Sequence, residues 1–195
     1  MGSEMCIRDR YLHEAHGDTK WAIAGRSQNK LDAVKQRLDA PDLPTLVADS
    51  DSTEDMTRLA AQSRVIISTV GPYARYGTTL LEACAAEGTH YCDLTGEPQW
   101  MASVFERVSD AAEESGARLI HCCGFDSIPS DLGVFVAQKT MMEKHGLYAS
   151  SVSGRMGQSK GAVSGGTVAS MLLAMEQGIS DPVARKALND PYALY

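Results

Sequence analysis

The chain has 195 residues, with 18 Lys+Arg against 25 Asp+Glu and a formal net charge of −7. That balance excludes a nucleic-acid binder held by phosphate contacts, because there is no basic surplus to displace counterions. A 44% hydrophobic share with 22% charged residues belongs to a globular chain that buries a core, not to a disordered one.

No apolar run approaches the roughly 18 residues that cross a bilayer, and no signal-peptide pattern is read at the start. A transmembrane segment is therefore not expected, while peripheral membrane contact stays open. The five cysteines, Cys6, Cys84, Cys92, Cys122 and Cys123, are irregularly spaced and contain no Cys-x-x-Cys pair. Neither a disulfide framework nor a metal site is expected, and a reducing, cytoplasmic setting is.

Met1 to Arg10 show neither helical nor strand periodicity and read as a non-native or disordered start. Tyr11 to Gly17 look like the tail of a helix. Trp21 to Gly25 is a short apolar run ending in Gly, a buried-strand pattern. Asn29 to Leu38 places Leu31, Val34 and Leu38 on one helical face. Leu46 to Ala48 is a second strand, followed by a helix capped by Ser52 or Thr53 and running to Gln62. Val65 to Val70 is β-branched and closed by Gly71-Pro72. Thr78 to Glu87 predicts a helix stopped by Gly88, and His90 to Leu94 a strand. Pro98 opens a helix that runs to Ser115 before Gly116. Arg118 to Cys123 predicts a strand, and Asp131 to Lys144 a helix in which Ser130 or Asp131 serves as the cap.

Strand and helix in alternation indicate right-handed βαβ units on a parallel sheet. The fold class expected is α/β: a doubly wound, mostly parallel Rossmann-type domain over 11–145. Beyond it the pattern changes. Ser151 to Gln158 reads as a strand of another sheet, and a Gly-rich stretch at 161–166 opens a helix over Thr167 to Gln177. A short charged helix covers Asp181 to Leu188. Residues 146–195 thus read as the beginning of an α+β substrate or dimerisation domain.

Ligands of doubly wound sheets bind at the carboxyl ends of the strands. After the first strand stand Gly25, Arg26 and Ser27. A guanidinium fork and a hydroxyl on a small turn suit a phosphate monoester, such as the 2′-phosphate that distinguishes NADP from NAD. Arg26 and Lys30 equally read as a solvated helix start. Asp49 could bond an adenine amino group or simply make a turn. Thr69, Val70, Gly71, Pro72 and Tyr73 form an edge along which a pyrophosphate and a ribose could lie, or a structural turn. Gly124 to Asp131 packs two carboxylates and two hydroxyls after a strand, which suits proton transfer. Asp126 and Ser127 are the catalytic candidates there. Cys122 and Cys123 read as buried small hydrophobes, and His90 and His121 as structural. No Gly-rich turn precedes Trp21, so the usual pyrophosphate turn of a dinucleotide fold is missing. No Tyr-x-x-x-Lys pair occurs, which argues against a short-chain reductase.

Four blocks carry a resemblance: Ala24-Gly25-Arg26-Ser27, Thr69 to Gly77, Tyr91 to Glu97, and Cys123 to Leu132. Together they resemble the saccharopine dehydrogenase-like oxidoreductases. Ser164 to Ser170 and Asp190-Pro191-Tyr192 are similar to the branch called trans-acting enoyl reductases. The resemblance implies an NADP-dependent enzyme that uses NADPH to reduce the double bond of a small-molecule or carrier-bound enoyl thioester in lipid biosynthesis. It also implies that Gly25 to Ser27 and Thr69 to Pro72 contact the cofactor, with Asp126, Ser127 and Pro129 beside the nicotinamide. Family members start with a strand and a Gly-rich turn and run about twice as long. The chain therefore reads as an internal fragment lacking the first strand of its sheet, with weak NADPH binding and no turnover of its own. A homodimer stays open. The alternative is a non-catalytic module for protein or membrane association.

Overall fold

The computed structural model describes residues 4–16, 19–158, 165–190 and 192–194, with side chains in the first helix from Arg8 onward. Positions 161–164 of the Gly-rich stretch, Pro191 and Cys6's side chain lie outside the described residues.

Five short strands are described: β1 (Ile23–Gly25), β2 (Thr45–Val47), β3 (Val65–Ser68), β4 (His90–Asp93) and β5 (Leu119–Ile120). They form two sheets, β1-β2 and β3-β4-β5. Every pairing is parallel, with Ala24 opposite Leu46, Ile66 opposite Tyr91 and Tyr91 opposite Leu119. A helix lies between each pair of successive strands, as parallel pairing requires. After α1 (Glu4–Ala15) come α2 (Gln28–Leu38), α3 (Thr53–Ala61), α4 (Tyr73–Tyr76), α5 (Thr78–Glu87) and α6 (Pro98–Ser115). The chain continues with α7 (Ile128–His145), α8 (Gly165–Ser180) and α9 (Pro182–Asn189).

The architecture is the α/β class expected, with one departure among the strands. The described strands form two separate sheets where a parallel sheet lacking its first strand is expected. Ser151 to Gln158 is exposed and unpaired, not a strand; its small polar residues offer no apolar face to a neighbouring sheet. Helix α7 starts at Ile128, so Ser130 and Asp131 sit inside its first turn and Ser127 holds the cap position. Residues 4–10, set apart by their lack of periodicity, are helical.

Packing explains why these elements form. Met56, Ala60, Leu80, Leu81, Cys84, Tyr91, Trp100, Val104 and Val108 make one core, where α3, α5 and α6 cover one face of the three-stranded sheet. Ile23, Leu31, Ala40 and Leu43, with Trp21, Val34 and Leu38, make a second core under α2. Gly88 and Gly116 end α5 and α6 with φ of 73° and 77°, a backbone that only glycine adopts without a steric cost. Ser52 caps α3 by accepting the Asp55 N–H at 3.2 Å. The other face of the three-stranded sheet is open, since Val65, Ile67 and Ile120 are exposed. Helices α7 and α8 bury no residue among those described.

Gly77 joins α4 to α5 where the Tyr73 and Trp100 rings stack at 5.5 Å. A Cβ there would come within 2.9 Å of both the Trp100 ring and the Tyr73 carbonyl. Gly77→Ala should therefore cost about 2 kcal/mol through forced repacking, read as a lowered urea midpoint. An unchanged midpoint would show that the α4–α5 junction yields freely.

Candidate functional site

All strands of each sheet run the same way, so each sheet gathers its strand exits on one rim. At the β1 exit Gly25 is half-buried, and its carbonyl accepts the Ala48 N–H at 3.2 Å, tying the two exits together. Arg26 is exposed, and its side chain makes no ion pair or hydrogen bond among the described residues. Ser27 is the N-cap of α2 in extended backbone, yet its hydroxyl makes no cap hydrogen bond. The first turn of α2 contains no acidic residue, and Lys30 within it is exposed. Uncapped N–H groups, an unpaired guanidinium and the ammonium of Lys30 stand together at this helix start, a combination that attracts anions. A phosphate monoester fits these residues, with Arg26 as the fork, Ser27 as a hydroxyl donor and Lys30 as a point charge.

At the β2 exit Asp49 is committed to a turn. Its Oδ1 accepts the Asp51 N–H at 3.1 Å, and its own N–H donates to Asp55 Oδ2 at 2.9 Å. That N–H, together with Arg58, which contacts Asp55 Oδ1 at 2.6 Å, holds the Asp55 carboxyl below its ordinary value of 3.8. A lowered folded pKa contributes stability above the ordinary value, and that contribution is lost as the pH falls through the folded one. Asp55→Asn should therefore destabilise at neutral pH, with the difference from wild type shrinking as the pH falls below the ordinary value of 3.8. Denaturant midpoints at neutral and acid pH check this, and a difference that persists undiminished in acid would remove the ion from the account.

The β3 exit turns at Thr69 to Tyr73 through a cis Gly71–Pro72 bond. Val70 is exposed there, and Thr69 Oγ1 accepts from Arg8 Nη1 of α1 at 3.3 Å. Tyr73 turns inward instead. Its hydroxyl donates to the Ser68 carbonyl at 3.0 Å and accepts the Leu94 N–H at 3.2 Å, stitching the exits of β3 and β4 together. Its side chain is thus a brace of the rim, and any ligand contact there falls to the neighbouring backbone. Below it lies Glu97, buried and fully engaged. Its Oε1 and Oε2 accept the N–H groups of Tyr73 and Ala74, each at 2.9 Å. Oε1 also accepts the Ser170 hydroxyl of α8 at 2.8 Å. A carboxylate thus closes the N-terminus of α4 and seats α8 against the same loop.

The β4 and β5 exits converge on Asp93. Its Oδ1 accepts the N–H groups of Thr95 at 3.1 Å and Cys122 at 3.2 Å. Its Oδ2 accepts the Tyr91 hydroxyl at 3.0 Å and His121 Nδ1 at 2.7 Å. Cys122 is held in left-handed backbone, φ 59°, so the chain bends sharply into the β5–α7 loop. On that loop Asp126 is exposed and Ser127 half-buried, the latter with its hydroxyl beside the Cys122 thiol. Burial raises the thiols of Cys84, to about 12, and Cys92, to about 11, the latter helped by Cys123 and Asp93. Burial and Asp93 also raise Cys122 and Cys123. Protonated thiols are poor nucleophiles, so none of these four cysteines is suited to covalent chemistry. No group of three or more His, Cys, Asp or Glu that could hold a metal ion occurs among the described residues.

The candidates therefore separate. Gly25, Arg26 and Ser27 share one exit, Thr69 to Pro72 share another, and Asp126 and Ser127 a third. Asp49 and Tyr73 lie at these exits with their side chains engaged in turns and braces. Asp93 and Glu97 carry no role legible from the sequence, where His121 reads as structural. The alternation of Asp93, Thr95 and Glu97 after a strand was their one visible sign, since three polar residues on one side of a segment leaving a buried strand must find partners.

Parallel strands joined by helices define an α/β protein, a class whose ligands bind at the strand carboxyl ends. The family described as the saccharopine dehydrogenase NADP binding domain matches residues 10–120. The chain belongs to that family. The Mycobacterium tuberculosis protein Rv2449c is 42% identical over 186 residues, covering 94% of this chain and 44% of the relative. A protein named trans-acting enoyl reductase from Mycobacterium ulcerans is 40% identical over 201 residues, covering 96% of this chain and 46% of the relative. The chain thus spans less than half the length of these relatives. Apo saccharopine dehydrogenase (L-Glu forming) of Saccharomyces cerevisiae superposes with a TM-score of 0.55 at 16% identity, covering 74% of this chain and 30% of that one. That likeness supports the fold.

Proposed function

We propose that this chain is the nucleotide-binding part of an NADP-dependent oxidoreductase that reduces the double bond of an enoyl thioester. The observation that carries the proposal is the anion-attracting helix start at the β1 exit, where Arg26 is unpaired and α2 begins without a cap or an acid. Gly25, Arg26 and Ser27 would hold the 2′-phosphate, Asp49 would line the adenine end, and Thr69 to Tyr73 would pass along the ribose and pyrophosphate. Bound NADPH supplies a hydride. Asp126 and Ser127 are the catalytic candidates on the β5–α7 loop, where the Ser127 hydroxyl would polarise a thioester carbonyl.

The split sheet supports the same reading. β1 and β3 each pair on one side only. A further strand between them would join the sheets in the order β2-β1-x-β3-β4-β5, which is that of a dinucleotide-binding sheet. The pyrophosphate turn would follow that strand. Residues 146–195 would begin a substrate or dimerisation domain, for which the bare apolar sides of α7 and α8 are suited. No described helix is long and apolar enough to cross a membrane; a cytoplasmic enzyme acting on carrier-bound acyl chains is the setting proposed.

The exposed Leu132, Phe135 and Val136 of α7 and Met171, Leu172, Met175 and Ile179 of α8 favour a second reading, a non-catalytic association module. Titration calorimetry separates the two. Adenosine 2′,5′-bisphosphate carries the distinguishing phosphate and needs no pyrophosphate turn. It should bind this chain at least about tenfold more tightly than adenosine 5′-monophosphate, a gap of about 1.4 kcal/mol. Equal affinities would remove the NADP assignment and leave the association reading.

A further inference from the structure

The pair Asp93–His121 has no part in the reading above, yet its geometry is that of an oriented acid–base group. Asp93 is fully buried and meets donors only, from Thr95, Cys122, Tyr91 and His121. A carboxylate accepts hydrogen bonds, so His121 Nδ1 carries the hydrogen and Nε2 is the basic atom of the neutral ring. Nε2 has no hydrogen-bond partner among the described residues, and the side chain keeps 21% of its surface open. Trp100 and Tyr91 contact the ring edge-on at 5.1 and 6.0 Å, fixing its plane. The pair stands at the ends of β4 and β5, where the Cys123 N–H donates to the Asp93 carbonyl at 2.7 Å. The loop bearing Asp126 and Ser127 begins just beyond. Asp126 itself is exposed and has no partner to orient it.

We propose that His121 is the catalytic proton donor of this site, with Asp93 as its positioning residue; this rests on the enoyl-thioester reading. When hydride adds at Cβ of the substrate, the electron pair of the double bond moves to Cα and onto the thioester oxygen. The Nε2–H bond of the imidazolium breaks as the Cα–H bond forms. The neutral imidazole then regains a proton from water, and Asp93 keeps Nε2 aimed throughout.

The reverse proton step needs no nicotinamide and can be read on this chain. Neutral His121 should remove the α-proton of a saturated thioester and return a deuteron from the solvent. With butyryl-pantetheine in deuterium oxide, mass spectrometry should show exchange above the buffer rate. His121→Gln should slow it about a hundredfold, and added imidazole should restore part of it to His121→Ala. Asp93→Asn should also slow exchange. Because that variant disturbs a buried group, circular dichroism melts accompany each protein, and the partly exposed His121→Gln carries the decision. Exchange no faster than in buffer, or unchanged in His121→Gln, overturns the proposal. Adenosine 2′,5′-bisphosphate binding is measured on the same proteins. Exchange without nucleotide binding would remove the cofactor reading and leave His121 in place; nucleotide binding without exchange would remove His121 alone.

Discussion

Replacing Glu97 with Ala should destabilise the chain by about 3–4 kcal/mol. The carboxylate is buried and accepts from Tyr73 N–H, Ala74 N–H and the Ser170 hydroxyl. Hydrogen bonds to a charged group contribute roughly 1.5–3 kcal/mol each, and they share one acceptor group, so their losses do not simply add. Removing the acceptor also strands the two N–H groups that open α4, which water cannot reach without loosening the loop. Against a typical total of about 5–15 kcal/mol, such a loss is severe. Urea unfolding reads the effect. Glu97→Gln retains one acceptor oxygen and should lose about half as much, whereas Ser170→Ala removes only the α8 tether and should cost about 1 kcal/mol. A loss below about 1 kcal/mol for Glu97→Ala would mean that the loop does not depend on this carboxylate.

The second large effect belongs to Arg26. Arg26→Ala should weaken adenosine 2′,5′-bisphosphate or NADPH binding by about 10- to 100-fold, the loss of a charge-assisted fork on a phosphate. NADH and adenosine 5′-monophosphate, which lack the 2′-phosphate, should bind as before. Arg26 makes no bond to the fold among the described residues, so the substitution should leave the melting temperature unchanged. A Lys in its place keeps the charge but not the fork and should recover only part of the affinity. Raising the salt concentration should narrow the difference, because the contact is exposed. An equal loss for both coenzymes would place Arg26 elsewhere on the nucleotide, and no loss for either would return it to the solvated helix start.

The two residues differ in how visible they were beforehand. Arg26 follows a short apolar run and precedes an amphipathic helix, so its place at a strand exit follows from local pattern. Gly88 and Gly116 mark helix ends for an equally local reason, the left-handed backbone they occupy. Glu97 is different. Its role depends on the short helix α4, which reads as a turn, and on α8, more than seventy residues away, whose Ser170 reaches the same carboxylate. His121 next to Cys122 in the sequence gives no hint of Asp93, because that partner ends the neighbouring strand β4 and the β4–β5 register brings the two strand ends together. The expected strand at Ser151 to Gln158 went the other way: composition allowed it, but no partner strand satisfies it among the described residues.

Taken alone, the order of residues determined the alternation of strand and helix, the helix stops and the identity of the rim at Gly25 to Ser27. These depend on backbone preference and on apolar spacing within a dozen residues. Only the tertiary structure decided that Tyr73 braces the rim and that buried Asp93 and Glu97 organise it. A buried carboxylate is held by whichever donors the packing delivers, and those donors come from chain segments whose meeting no local pattern encodes.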